Sequence, residues 1–272
     1  MILLLLLCAV AVSAQTPDPG EIMRRVAENS ARAQTARGSW VYDQEIFVRL
    51  KRSNGKLARE EIRQYTVAPT EKGAERRLDN VEGSVLEGNR RISYTEPGFR
   101  TKEMDIDGAI VGNIAKELMW RRDSLGLMEY WPPTEPANLA RYVFQYAGEE
   151  HYRDYDVYRI DFHSKDKEDP WEGEALIERN EYQPVLVTSA WTGKIPAAVT
   201  LLLGTSVKHI GCKTVYKRFD KDLWFPIQTG GEMKVRALFL YSRTIAFSGN
   251  NRDFRKTDVQ SSVEFGGEAA PQ

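Results

Sequence analysis

From Gly38 almost to the end of the chain, apolar and polar residues alternate with the period of two that is characteristic of β-strands. Between residues 40 and 50, one set of alternate positions is mostly apolar, while the other set carries Asp43, Glu45 and Arg49. A hairpin turn is predicted at Ser53-Asn54-Gly55. Helices do not alternate regularly with these strands, so the pattern excludes the repeated βαβ units of a parallel sheet and predicts an antiparallel one.

Two helices are predicted beside the strands. The first starts at Asp18, with Pro19 in the first turn and Glu21 as a capping-box partner. The second starts at Asp107-Gly108 and has an apolar stripe too wide to remain exposed to solvent. This stripe consists of Ile110, Val111, Ile114, Ala115, Leu118 and Met119.

Together these elements predict a mainly β fold. We expect a large, curved antiparallel sheet or half-open β-barrel of about ten or eleven strands, with an N-terminal helix and a mid-chain helix that acts as a lid. Residues 15–265 are expected to form a single domain, because an all-β core of this size is often one unit. Residues 266–272 are expected to be a disordered tail.

The N-terminal residues predict a signal peptide. An apolar run over residues 2–12 is followed by small side chains, which predicts a signal of residues 1–14 that is cleaved after Ala14. The run is too short to cross a hydrocarbon core of about 30 Å, so the mature protein is expected to be peripheral to a membrane at most. No Lys or Arg precedes the run, which leaves open a true start upstream of Met1. The alternative is a buried N-terminal strand.

Charge and motifs exclude several functions. The chain has 38 basic and 39 acidic residues and a net charge of −1, which argues against nucleic-acid binding driven by electrostatics. His151, His163 and His209 have neither metal-ligand spacing nor a Cys partner, so no metal site is predicted. Acyl-transfer and nucleotide-binding motifs are also lacking, so we expect no cofactor, no catalytic residues and no enzymatic activity. A minor alternative pairs two of the carboxylates as acid and base; the candidates are Glu149, Glu150, Asp154 and Asp156.

The cysteines predict no intramolecular disulfide. Cleavage after Ala14 removes Cys8 and leaves Cys212 alone. Cys212 is then either a small core residue or, if it is exposed beside Lys208 or Lys213, a reactive thiol.

Several segments resemble those of one known superfamily. They are the strand of residues 152–160, the segment of residues 171–178 that leads into Tyr182-Gln183-Pro184-Val185, and the late segment of residues 248–254. In this order, after a signal, an amphipathic helix and long strands, they resemble the LolA-like proteins that sort outer-membrane lipoproteins. The resemblance implies a half-open β-barrel in the periplasm whose helices lie across its mouth, and which holds acyl chains of lipoproteins or other amphiphiles. Carriers of this type latch their lid with a barrel arginine, which no motif of this sequence identifies.

The resemblance and the alternation together give a candidate ligand site. Acyl chains need a large apolar concavity and few directional contacts, since each buried methylene contributes about 0.8 kcal/mol. The cavity is predicted to be lined by Trp40, Tyr42, Ile46, Phe239 and Tyr241, and the lid is predicted to consist of Ile110, Val111, Ile114, Leu118 and Met119. The same residues could equally form a closed core.

The predicted function is therefore a monomeric, non-catalytic periplasmic carrier of acyl chains or similar amphiphiles. The alternative is a signalling or assembly module that uses the same fold to bind an envelope protein. The sequence identifies neither the cargo nor the partner.

Overall fold

The computed structural model describes residues 16–70, 73–117, 136–167, 170–193, 205–220, 223–237 and 241–257. These residues form two α-helices, one 3-10 helix and eleven β-strands. The helices are α1 (Pro19–Arg37), α2 (Ile106–Glu117) and the 3-10 helix Pro136–Arg141. The strands are β1 (Trp40–Arg52), β2 (Leu57–Thr70), β3 (Gly73–Glu87), β4 (Arg90–Tyr94), β5 (Tyr142–Tyr152), β6 (Tyr155–Ser164), β7 (Trp171–Glu178), β8 (Pro184–Trp191), β9 (Thr205–Asp220), β10 (Leu223–Ala237) and β11 (Tyr241–Lys256).

All eleven strands belong to one open, curved antiparallel sheet, which confirms the predicted fold class. Their order is β4-β3-β2-β1-β11-β10-β9-β8-β7-β6-β5. The chain thus starts in the middle of the sheet, builds outward to β4, crosses to the opposite edge at β5, and returns until β11 pairs with β1. The connection from β4 to β5 contains α2, so in the chain this helix separates the first four strands from the last seven.

Helix α1 begins as predicted. Asp18 is its N-cap, with the side chain accepting a hydrogen bond from the backbone N–H of Gly20, and Pro19 is the first helical residue. Glu21 forms ion pairs with Arg24 and Arg25 instead of the predicted capping box. The buried stripe of α1 packs on strands β5 to β8 in a cluster that includes Ile22, Met23, Val26, Ile160, Ile177 and Val187.

The predicted alternation of β1 is confirmed. Tyr42, Ile46, Val48 and Leu50 are buried, and the Ser53-Asn54-Gly55 turn has Gly55 at a φ of 80°. These β1 residues form a second cluster with residues of β2 and β11, onto which α2 packs.

Both helices cover the same face of the sheet. Residues that pair directly across antiparallel strands point to the same face. The pairing connects Ile46 below α2 to Val187 below α1 through Gly249, Thr229 and Thr214. We call this side the covered face.

One predicted boundary was wrong. The sequence predicts a strand from Met233 to Tyr241, but β10 ends at Ala237, and Tyr241 begins β11 and pairs with Ala237. Ala237 and Tyr241 are paired across the hairpin and therefore face the same side of the sheet. Odd-numbered residues thus keep facing this side before and after the chain reverses, and the alternation alone does not show where the reversal lies.

Candidate lid site

The structure brings five of the predicted ligand-site residues together. Tyr42, Ile46 and Val111 belong to one buried cluster, and Ile110 and Ile114 of α2 pack against it. Because these residues are in direct contact, α2 lies on the covered face with its apolar stripe inward. This arrangement places the predicted lid on the predicted lining.

Trp40 lies outside this cluster. Its indole packs edge-on against Phe225, with ring centroids 5.7 Å apart, and against Phe219 at 6.3 Å. Tyr42 reaches the same group of aromatic rings by stacking on Phe254 at 5.0 Å. Trp40 therefore belongs to an aromatic cluster next to the covered apolar cluster.

Three further predicted residues lie outside the described part of the chain. They are Leu118, Met119 and Phe239. Their assignment to the lid or the cavity stays a prediction.

A buried arginine anchors the start of α2. Arg59 of β2 is 1% exposed, and its Nη1 donates to Asp105 Oδ2 at 2.7 Å. The other oxygen of Asp105 caps the helix by accepting the backbone N–H of Gly108 at 2.8 Å. Asp105 thus joins the first turn of α2 to the sheet.

The charge of Asp105 is stabilised at this position. Burial by itself raises the pKa of the Asp105 carboxyl, but the Gly108 N–H, the Arg59 guanidinium and the Thr101 N–H together lower the pKa below its usual value. A buried arginine with a carboxylate partner is costly to break, because the remaining charge is left unpaired. We call the Arg59–Asp105 pair the first latch.

A polar network extends the first latch along the covered face. The Nε of Arg59 donates to the Tyr94 hydroxyl at 2.9 Å, and this hydroxyl donates to Glu61 Oε2 at 2.8 Å. Arg63 Nε donates to the other oxygen of Glu61 at 2.5 Å. Burial raises the pKa of Tyr94, so its hydroxyl stays protonated and can bridge Arg59 to Glu61.

Two glycines make room for this network. A Cβ on Gly83 would lie 2.1 Å from the ring of Tyr94, and a Cβ on Gly108 would lie 2.6 Å from Arg59 Nη1. Gly108 therefore has a packing role at the helix start, since the guanidinium approaches the backbone where a side chain would be.

A second latch holds the same end of α2. Asp107 accepts two hydrogen bonds from Arg243 of β11, from Nε to Oδ1 at 2.8 Å and from Nη2 to Oδ2 at 3.0 Å. The hydroxyl of Tyr241 also donates to Asp107 Oδ1, at 2.5 Å. Tyr241, a predicted lining residue, thus contacts the lid through its polar end, and burial raises the pKa of that hydroxyl.

The sequence analysis missed both latch arginines. Alternate residues of β2 face the same side of the sheet, and one such set is entirely buried: Arg59, Glu61, Arg63, Tyr65 and Val67. The sequence does place charged residues at the alternate positions of a strand that face the core. Because charged groups are buried only when they are paired, these positions indicate buried ion pairs.

The carboxylates of the predicted alternative acid–base pair lie at the surface. Glu149, Glu150, Asp154 and Asp156 are all exposed, in or beside the hairpin of β5 and β6. Three of them make surface contacts, for example Glu149 with Arg179 at 2.7 Å and Asp156 with His151 at 2.9 Å. Such contacts are typical of solvated ion pairs.

Burial raises the pKa of the Cys212 thiol to about 11, which disfavours the reactive thiolate. No group of three or more His, Cys, Asp or Glu side chains in the described ranges is placed to hold a metal ion. Within the same ranges, no helix is both long enough and apolar enough to cross a membrane.

Comparison with known proteins gave matches only among solved structures. No protein-family model and no curated protein matches this chain. A DUF1329 family protein from Desulfovibrio piger is 12% identical with a TM-score of 0.36, covering 90% of this chain and 96% of that one. The complex of MucA and MucB from Pseudomonas aeruginosa matches at 10% identity and a TM-score of 0.25, covering 89% of this chain and 100% of that one.

A third match is a structure of lipid–protein interactions in lipovitellin, 7% identical with a TM-score of 0.34; it covers 83% of this chain and 26% of that one. All three TM-scores are below 0.5, and these likenesses assign no function to this chain.

Proposed function

We propose that this chain is an exported, non-catalytic binding protein for lipid-like amphiphiles such as lipoprotein acyl chains, which it holds on the covered face under α2. The observation that carries the proposal is the way α2 is attached. Its apolar stripe packs on an apolar face, while its N-terminal end is tied to the sheet by two arginine–aspartate latches. Lifting α2 would expose two apolar surfaces that fit an acyl chain.

The energetics support a lid that opens only when something replaces it. Separating α2 from the sheet exposes the side chains of Val111, Ile110 and Ile114 together with the cluster below them. An acyl chain that occupies this face restores the lost burial, at about 0.8 kcal/mol for each methylene. The two latches determine the fraction of molecules in which α2 is closed. Ligand affinity falls as this closed fraction rises.

The proposed location rests on the predicted signal peptide and on the resemblance to the LolA-like proteins. Export would place the protein in the periplasm, where acylated proteins and lipids need carriers. The absence of a catalytic role is likewise part of the proposal, since an apolar site of this kind uses burial in place of reactive groups.

The proposal is tested by titrating the purified protein with a fluorescent fatty acid. Saturable binding is expected. The Asp107→Asn variant should bind the probe more tightly by roughly tenfold, because a hydrogen bond to a charged group is worth about 1.5–3 kcal/mol and its loss raises the open fraction.

Asp43→Asn is the matched control. It removes an exposed aspartate–arginine pair, with Arg255, that does not touch α2. A lack of saturable binding by the wild-type protein would contradict the proposal and favour the protein-binding alternative. Equal affinities of Asp107→Asn and Asp43→Asn would contradict the role of the latch.

A further inference from the structure

The loop that leads into α2 is clamped at both ends by one side chain. We call residues 99–105 the entrance loop. The guanidinium of Arg59 donates to the backbone carbonyl of Phe99 at one end and to the carboxylate of Asp105 at the other. The ring of Phe99 also stacks on Tyr94, with centroids 4.6 Å apart.

Apolar side chains point outward where the entrance loop meets α2. Met104 is 79% exposed and Ile106 is 43% exposed. They alternate with Asp105 and Asp107, the two latch carboxylates, which point toward the sheet. The segment of residues 104–107 therefore has an apolar outer side and an acidic inner side that holds the lid closed.

We propose that Met104 and Ile106 insert into the surface of a lipid bilayer, and that this contact loosens the first latch. The inference rests on the proposed function, because it specifies where the lid opens and to what the ligand is transferred. Arg100 and Lys102 are exposed on the same loop, together with the carboxylate of Glu103, and the two basic side chains can contact anionic headgroups beside the inserted side chains.

A bilayer fits this surface better than a protein does. A stable protein–protein contact buries about 800 Å² on each partner and needs a complementary surface. Two protruding side chains at the junction of the entrance loop and α2 do not supply such an area. Insertion into the boundary between headgroups and acyl chains needs only a few apolar side chains with basic neighbours.

The clamp provides the link between surface contact and lid opening. Arg59 holds the first residue of the entrance loop by its carbonyl and the last by its side chain, so a displacement of the tip acts on one guanidinium. Asp105 is also the N-cap of α2, and its movement changes the position of the first helical turn. Membrane contact and release of the lid are thereby connected through two residues.

The first experiment measures flotation of the ligand-free protein with vesicles of phosphatidylethanolamine and phosphatidylglycerol. The double variant Met104→Ser/Ile106→Ser should bind vesicles roughly tenfold more weakly than the wild-type protein, because its apolar insertion is lost. The control is Leu78→Ser/Val143→Ser, which removes two apolar side chains, each 39% exposed, from β3 and β5. Equal loss of binding in both double variants, or no vesicle binding by the wild-type protein, would overturn the proposal.

The second experiment measures transfer of a bound fluorescent fatty acid to the same vesicles. Transfer by contact predicts a rate that rises in proportion to vesicle concentration for the wild-type protein and much less for Met104→Ser/Ile106→Ser, with probe affinity unchanged. A rate that is independent of vesicle concentration would overturn this inference while leaving the proposed function standing. If the wild-type protein is a dimer and the double variant is a monomer, the surface is a contact between two copies of the chain, and the proposed membrane insertion is overturned.

Discussion

At the scale of single residues, the attachment of α2 to the sheet depends on where a side chain is missing. Gly108 lies in the first turn of α2, where glycine is normally unfavourable, because helix formation restricts its backbone. Its position is explained by Arg59, whose guanidinium occupies the space of a Cβ. At Gly112 in the same helix, a Cβ would have no neighbouring atom within 4 Å, so this glycine offers a matched comparison.

Replacing each glycine by alanine should have opposite effects on stability. Gly112→Ala is expected to raise the free energy of unfolding by about 0.5–1 kcal/mol through helix propensity. Gly108→Ala gains the same helix propensity, but its Cβ displaces Arg59 from its partners. A buried polar group without partners lowers the free energy of unfolding by about 1–3 kcal/mol. Urea unfolding of both variants should place Gly108→Ala below Gly112→Ala by that amount, and equal midpoints would show that Arg59 moves without cost.

The residues that the sequence could identify are those defined by the hydrophobic period of a strand or a helix. Tyr42, Ile46 and Val111 follow from the period of their elements, because burial of one face imposes that period. The latch arginines could not be assigned to α2, because their partners lie 46 and 136 positions away and no local pattern connects them. Pairing of this kind is determined by the three-dimensional arrangement of strands.

At the scale of elements, the two helices on the covered face are attached differently. Asn29, in the middle of α1, donates to the backbone carbonyls of Glu181 and Tyr182, at 2.6 and 2.8 Å. Helix α2 is attached at its first turn by charged side chains. The polar contacts of α1 to the sheet therefore lie in the middle of the helix, while those of α2 lie at its N-terminal end.

Acid should weaken the attachment of α2. The pKa of Asp105 is lower in the folded protein than its usual 3.8, so the carboxylate contributes stability above about pH 4. This contribution is lost as the pH falls through the folded-state pKa. Asp105→Asn keeps the N-cap, since Asn caps as well as Asp, but it removes the titrating group.

The measurement is the free energy of unfolding as a function of pH. Between neutral pH and the acid range, the loss of stability should be smaller in Asp105→Asn than in the wild-type protein. Parallel curves for the two proteins would mean that the first latch does not contribute to acid sensitivity.

At the scale of the whole molecule, the sheet is held together at its centre by strands from opposite ends of the described chain. β1 and β11 pair over most of their length, from Trp40 with Lys256 to Arg52 with Arg243. Strands β4 and β5 form the two edges. The sequence predicts the number of strands and their antiparallel sense, but not this order, because hairpin patterns define only neighbours along the chain.

Hydrogen exchange should follow this order. Amides of the inner strands, such as β1, β10 and β11, are expected to exchange more slowly than those of the two edge strands, because each inner strand is bonded on both sides. Amides of β4 and of the outer edge of β5 should exchange fastest among the strands. Mass spectrometry of peptides from each strand measures this ranking, and protection that is greatest at β4 or β5 would contradict it.

The meeting of β1 and β11 has a consequence for biosynthesis. At about 5–20 residues per second, a ribosome needs roughly ten to forty seconds to proceed from the end of β1 to the end of β11. Throughout that interval the nascent β1 has a bare row of amide and carbonyl groups, the kind of template on which chains aggregate. A chaperone that protects the newly made polypeptide therefore has to shield β1, which is central in the finished protein.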